Sequence, residues 1–340
     1  MGNRIKIVRT DRELECPGID SELQATGAEL VLLPENIDED QLIEAVRDAD
    51  LLLMCYTPIT AKVIHAAKNL KGIVKYGVGI DAIDIAAARA RRIPVVNVPE
   101  YAEETVAEGA FAMLIALAKK LMPVHNEVQS TGWAWPTSKW LGNDLAGKTL
   151  GIIGVGRIGR SMARMAGAGF RMKVLGYSPA VDEETMQKCA IQKQSDLNQM
   201  LSQCDFVSIH CVLNDETHHL IGETELACMK STAVLINSSR GAIVDEQALL
   251  KALTTGQIAG AGLDVFSQEP LMLTGHPLSA LYGMDNVILS PHLTFYTEES
   301  MARLEEETLT RCFEMLEGRP VQIKSGDPRL VSQEYGVTFN

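Results

Sequence analysis

The stretch from Thr149 to Gly159 limits what this chain can fold into more than any other. Thr149-Leu-Gly-Ile-Ile153 is a short apolar run. Gly154-Val-Gly156-Arg-Ile-Gly159 follows it and leads into a helix-like segment, Arg160 to Ala168. A GxGxxG pattern alone is a weak signal; between a strand and a helix it marks a dinucleotide-type phosphate turn. Gly154 permits the tight turn, Gly156 lets the backbone approach a pyrophosphate, and Gly159 lets helix and strand pack closely. The N–H groups and partial positive charge at the helix start then face the phosphates. The alternative, an ordinary glycine-rich turn, does not need this strand–turn–helix context.

The rest of the chain fits an α/β fold of two domains, as its 340 residues suggest. Short aliphatic runs at Ile5–Arg9, Glu29–Leu33, Leu51–Met54, Ile73–Tyr76 and Val95–Asn97 alternate with helical patterns, which predicts a parallel sheet covered by helices. A second series, Thr149–Ile153, Lys173–Tyr177, Phe206–His210, Ala233–Asn237, Gly260–Asp264 and Val287–Leu289, predicts a doubly wound Rossmann domain of six strands. Between the two series, apolar residues from Ala107 to Leu121 recur at helical spacing and predict one long helix, kinked or ended by Pro123. An irregular arm follows that holds all three tryptophans, Trp133, Trp135 and Trp140, and packing against a neighbouring subunit or domain is their simplest use. A helix at Glu298–Leu316 and a polar tail from Lys324 close the chain.

Charge and cysteines exclude several classes. The formal net charge of −13 argues against nucleic-acid or anionic-membrane partners, which are bound through clustered Lys and Arg. Seven cysteines without CxxC spacing argue for reduced thiols in a cytoplasmic protein rather than a disulfide framework or zinc site, and no metal is expected. Met1 to Val8 runs straight into a strand pattern with no signal-peptide character, and no apolar run reaches the length of a membrane span.

Three further segments fall at or beyond strand ends of the second series, where ligands of open α/β sheets bind. They are Asn237-Ser-Ser-Arg240-Gly241, Gly262-Leu-Asp264-Val-Phe-Ser-Gln-Glu269-Pro270 and Ser290-Pro291-His292. Arg, Glu and His delivered together have a joint logic. A guanidinium holds the carboxylate and carbonyl of a 2-oxo acid, and an imidazole gives a proton to the carbonyl oxygen as hydride arrives. The carboxylate beside it favours the charged ring. Each residue alone is more readily read as a surface ion pair or a packed loop residue.

Taken together, GVGRIG at 154–159, NSSRGAIVD at 237–245, GLDVFSQEP at 262–270 and SPH at 290–292 resemble the D-isomer-specific 2-hydroxyacid dehydrogenase family, from about Ile5 to Gln322. The resemblance implies a Rossmann NAD(P)-binding domain at 100–292 and a flavodoxin-like substrate-binding domain at 1–99 with 293–340, with the active site in the cleft between them and a homodimer formed through the long helix and arm. It implies that Arg240, Glu269 and His292 are catalytic, with Glu269 pairing with His292 as acid/base. Val78 and Gly79, in Lys75-Tyr-Gly77-Val78-Gly79, would hold the substrate carboxylate together with Arg240 and His292. Gly154, Gly156, Arg157, Ile158, Gly159, Ser178, Thr105 and Thr217 would bind the cofactor, and Asp264 the nicotinamide carboxamide. Formate dehydrogenases of the superfamily carry Gln beside the His, so Glu269 disfavours formate.

Two positions depart from the family pattern. Ser178 stands where an acidic residue normally holds the adenosine ribose, and no Lys or Arg follows before Lys188, so NAD is the expected cofactor with NADP still open. Val212 stands where the family usually has Pro; His218 and His219 nearby are read as surface or cofactor-loop residues. Phosphoglycerate dehydrogenases similar to this chain often carry Arg near the position of Met54, and Met54 offers a phosphate no donor. A non-phosphorylated 2-oxo acid such as glyoxylate, hydroxypyruvate or a larger one is therefore the expected substrate. Met54, Tyr56, Tyr76, Tyr101, Phe295 and Tyr296 are candidate pocket residues, with interior packing an equal reading. Phosphoglycerate dehydrogenase is one alternative. A non-catalytic dinucleotide-sensing scaffold resembling the corepressors of this fold is another, but it needs a partner groove that the sequence does not display.

Overall fold

A computed structural model describes residues 4–339. The chain divides into two compact units, one built from the residues up to Ala102 and from Thr297 onward, the other from Glu103–Tyr296. The boundaries therefore fall at 102/103 and 296/297 rather than at 99/100 and 292/293. Both differences have a local cause. The Tyr101 carbonyl accepts a hydrogen bond from Arg303 Nε at 2.8 Å, which keeps it with the first unit. Leu293 and Thr294 are bonded through their backbone N–H groups to Asp264 of the second unit.

The first unit is a five-stranded parallel sheet of β1 (Lys6–Arg9), β2 (Glu29–Leu32), β3 (Leu51–Met54), β4 (Gly72–Lys75) and β5 (Val95–Asn97). Its order, β2-β1-β3-β4-β5, is that of flavodoxin-like folds. Every residue of β3, β4 and β5 is buried, as expected of parallel strands covered on both faces. Met54 and Tyr76, expected as pocket candidates, are fully buried, and Tyr101 and Phe295 are buried as well. Tyr56 is half-buried and Tyr296 exposed.

The second unit holds a seven-stranded parallel sheet: β6 (Thr149–Ile153), β7 (Lys173–Tyr177), β8 (Gln192–Lys193), β9 (Phe206–Ile209), β10 (Val234–Asn237), β11 (Gly260–Leu263) and β12 (Val287–Leu289). The order β12-β11-β10-β9-β6-β7-β8 is the Rossmann pattern, with its switch point between β6 and β9. The sequence predicts six strands; β8 escapes because it has two residues and lies at the sheet edge. Alternate strand residues feed separate cores on the two faces. Ile153, Val207, Ile209 and Leu235 join one core, while Leu150, Ile152, Phe206, Val234 and Ile236 join the other.

The expected long helix is two helices, Glu103–Ala118 and Leu121–Thr131. Pro123 does not make the break. Lys120, in the left-handed region at φ +50°, separates them, and Pro123 lies in the first turn of the second helix, where its missing N–H costs nothing. The tail is also ordered beyond expectation. β13 (Val321–Ile323) pairs in parallel with β14 (Val337–Phe339), Leu330 is fully buried, and the Gln333 amide clamps both backbone groups of Val95 at 2.7 and 2.8 Å. Among the described residues no helix is long and apolar enough to cross a membrane.

Candidate active site

The glycine turn has the shape a pyrophosphate needs. At Gly154, φ is +91° and an added Cβ would lie 2.4 Å from the Cys211 nitrogen; at Gly159 it would lie 2.2 Å from the Gly154 oxygen. Both positions are closed to any side chain. At Gly156 an added Cβ meets nothing within 4 Å, so the space beside that backbone is open. Arg157 and Ile158, half-buried, open the helix Arg157–Arg164, whose unsatisfied N–H groups face the same way. Thr105 is buried in the first turn of Glu103–Ala118, and Ser178, half-buried, follows β7 directly. The Thr217 hydroxyl donates to the Val212 carbonyl at 2.6 Å, which folds the loop after β9 back on itself although Val212 replaces the usual Pro. His218 and His219 are exposed, their rings stacked at 4.0 Å.

Loops from three adjacent strands bring Arg240, Glu269 and His292 into one region. Gly241 is the reason the first two meet: a Cβ there would lie 1.9 Å from the Phe266 carbonyl carbon, so only glycine lets the loop after β10 press against the loop after β11. Arg240 Nη1 donates to the Ser239 carbonyl at 2.7 Å. Glu269 uses both oxygens. Oε1 accepts from the Phe266 N–H at 2.9 Å, and Oε2 lies 2.9 Å from His292 Nδ1. Burial pushes the Glu269 carboxyl upward, but the His292 bond and charge, the Phe266 N–H and the Arg240 charge outweigh it and hold the group below its ordinary value. Glu269 is thus an anion that fixes the ring of His292.

His292 itself sits at φ +60°, a conformation that costs a non-glycine residue about 1 kcal/mol or more. Asp264 helps to hold it there. Asp264, fully buried, accepts from the Leu293 N–H at 2.9 Å, the Thr294 N–H at 3.1 Å and the Thr294 hydroxyl at 2.5 Å. Its carboxylate ties down the two residues after His292 and so braces the loop that carries the imidazole.

Val78 and Gly79, exposed and half-buried, follow β4 in the first unit. Two further residues of that unit shape its loops. Asp11, at φ +57°, accepts from the N–H groups of Cys55 (2.8 Å), Tyr56 (3.0 Å) and Thr57 (3.1 Å), and so shapes the loop after β3. Asn97, at the end of β5, reaches the loop after β4. Lys75 is buried, with Nζ bonded to the Cys55 carbonyl and 3.2 Å from Cys55 Sγ. An Asp after a strand and an Asn at a strand end are common capping residues, so neither carries a sequence signal of its own.

The model of the NAD-binding domain of D-isomer specific 2-hydroxyacid dehydrogenases matches residues 111–294, more than half of the chain. The chain belongs to that family. It is an NAD(P)-dependent D-2-hydroxyacid dehydrogenase, an oxidoreductase that interconverts 2-oxo and 2-hydroxy acids. The glyoxylate reductase of Korarchaeum cryptofilum is 42% identical over 86% of both chains. The D-3-phosphoglycerate dehydrogenase of Methanocaldococcus jannaschii is 38% identical over 78% of this chain, which spans 49% of that longer protein. The crystal structure of D-lactate dehydrogenase from Aquifex aeolicus with NAD and lactic acid superposes with a TM-score of 0.83 at 31% identity, covering 92% of this chain and 96% of that one.

Proposed function

We propose that this dehydrogenase reduces a small non-phosphorylated 2-oxo acid, with glyoxylate and hydroxypyruvate as the first candidates, and that His292 is its acid. The observation that carries the reading is the Glu269–His292 pair. Nδ1 is held on a carboxylate that is itself anchored by the Phe266 N–H, which fixes the ring and assigns the proton transfer to Nε2. The cofactor, when bound, supplies the hydride. His292 Nε2–H then gives its proton to the carbonyl oxygen as that oxygen gains charge, and the ring keeps its Nδ1–H on Glu269. In the oxidative direction the neutral ring takes the proton back. Arg240 holds the substrate carboxylate and polarises the carbonyl, a task that suits a planar fork of donors. Backbone N–H groups of Val78 and Gly79 are further donors suited to a carboxylate.

The surroundings of β3 and β4 support the choice of substrate. Met54 is apolar and fully buried, and Lys75 is committed to Cys55. The glyoxylate reductase relative points the same way, and the phosphoglycerate dehydrogenase relative supplies the competing substrate for the test. With NADH as the reductant, kcat/KM should be higher for glyoxylate or hydroxypyruvate than for 3-phosphohydroxypyruvate. His292→Asn should lower kcat by about 10²–10⁴-fold with NADH binding retained. A clear preference for the phosphorylated acid would refute the substrate choice, and an Asn variant within a few-fold of the parent would refute the role of His292.

A further inference from the structure

We infer that Asn97 is a positioning residue for the substrate carboxylate: its side-chain amide turns the Val78–Gly79 peptide so that the N–H points out of the sheet end. The inference rests on the reading of that loop given above. β5 lies beside β4, with Asn97 in register with Lys75, so the chain leaving β5 runs alongside the loop that leaves β4. Two successive loop carbonyls are taken up by it. The Gly77 carbonyl accepts from the Val98 N–H at 3.0 Å, and the Val78 carbonyl accepts from Asn97 Nδ2 at 2.6 Å. In a trans peptide the C=O and N–H point in opposite directions. Fixing the Gly77 carbonyl toward β5 therefore turns the Val78 N–H away from it, and fixing the Val78 carbonyl does the same for the Gly79 N–H.

Neither N–H has a partner among the described residues. Val78 is 38% exposed, so the donors lie at the surface of this unit and not in its interior. Two adjacent backbone N–H groups aimed the same way form an anion-binding concavity. One is aimed by the backbone of Val98, which no substitution short of proline alters. The other depends on a single side chain. Asn97 is 3% exposed, its Oδ1 has no partner, and its amide therefore makes one hydrogen bond of consequence, the one to Val78. Without it, the 78–79 peptide is free to turn, and one of the two carboxylate donors is lost for part of the time.

The test uses the full chain with NADH, the best 2-oxo acid of the panel, and oxamate as an unreactive carboxylate probe. In Asn97→Ala, and in the isosteric Asn97→Asp that replaces the donor with an acceptor, KM and the oxamate Ki should rise about tenfold. kcat and the NADH dissociation constant should stay within about twofold, because the residues that hold cofactor and proton lie in the other unit. Lowering the pH should reduce the Asn97→Asp effect, because a protonated carboxyl can again donate to the Val78 carbonyl; Asn97→Ala should show no such recovery. A purely structural role would lower thermal stability and kcat without this pH-dependent split. Hydrogen exchange in the unaltered protein gives an independent readout: the amides of Val78 and Gly79 should exchange fast and become protected by oxamate. Turnover by the parent with KM and Ki unchanged in the variants, or no protection by oxamate, overturns the inference alone. A parent that reduces none of the acids overturns the functional reading and this inference with it.

Discussion

Replacing Asp264 by Asn separates two roles for one buried carboxylate. The change removes no volume and alters one atom. The carboxylate accepts three hydrogen bonds from Leu293 and Thr294. An amide has one acceptor oxygen, so if that oxygen stays with Thr294, its NH₂ faces the Leu293 N–H. At least one charge-assisted bond is lost, about 1.5–3 kcal/mol, and a buried donor is left unpaired, about 1–3 kcal/mol. The expected loss is about 3 kcal/mol of unfolding free energy, read from urea denaturation. Because His292 occupies a left-handed conformation that these bonds maintain, its ring should also drift, and a displacement of about 1 Å costs on the order of 10²-fold in kcat. NADH affinity should change little. A variant with stability within about 0.5 kcal/mol of the parent and a large loss of NADH affinity would refute the bracing role and restore the carboxamide contact that family resemblance implies for Asp264.

Other perturbations test the rest of the site and the assembly. The folded Glu269 carboxyl lies below its ordinary value, so its contribution to stability is present above the ordinary carboxylate range and is lost as pH falls through the lowered folded value. The stability gap between the parent and Glu269→Gln should accordingly shrink between about pH 6 and pH 3, and a gap that stays constant in urea titrations over that range would contradict the ionic pairing with His292. Ser178→Asp should raise the ratio of kcat/KM for NADH over NADPH at least about tenfold by adding a ribose acceptor that repels a 2′-phosphate; an unchanged ratio would mean that Ser178 does not face the adenosine ribose. Leu121, Trp133, Trp135 and Leu141 are more than half exposed along the second helix and the arm, and large exposed apolar patches mark interaction surfaces. Sedimentation should show a homodimer that Trp135→Glu weakens, and a monomeric parent would refute the assembly.

The legible parts of the fold were those where one local signal has one structural outcome. β3, β5, β6, β7 and β12 run over the residues expected, because short apolar runs between turn residues in a parallel sheet have no amphipathic alternative. The glycine turn was legible for the same reason: Gly154 and Gly159 are in contact with backbone atoms, so no other residue fits. What the sequence hid is what depends on partners far along the chain. β8 is two residues that become a strand only because Leu175 and Gly176 lie beside them. The tail looked polar because Gln333 does its work through its amide, 238 residues away from Val95.

The site divides along the same line. Arg240, Glu269 and His292 announce themselves because their chemistry is unusual at strand ends. Asp264 is also visible, but its partners within the chain are not: nothing in its own segment says that it will accept from Leu293 and Thr294, 29 and 30 residues on. Asn97 and Asp11 were invisible, since each acts on backbone groups that any residue carries. The general consequence is physical. A reacting group has to be a particular side chain, so sequence reveals it; the groups that aim it need only reach a carbonyl or an N–H, and many residues at many positions can do that. The left-handed His292 and the outward N–H groups of Val78 and Gly79 are conformations held by such aiming groups. Substitutions at Asp264 and Asn97 should therefore affect different kinetic constants, kcat through the proton donor and KM through the carboxylate seat.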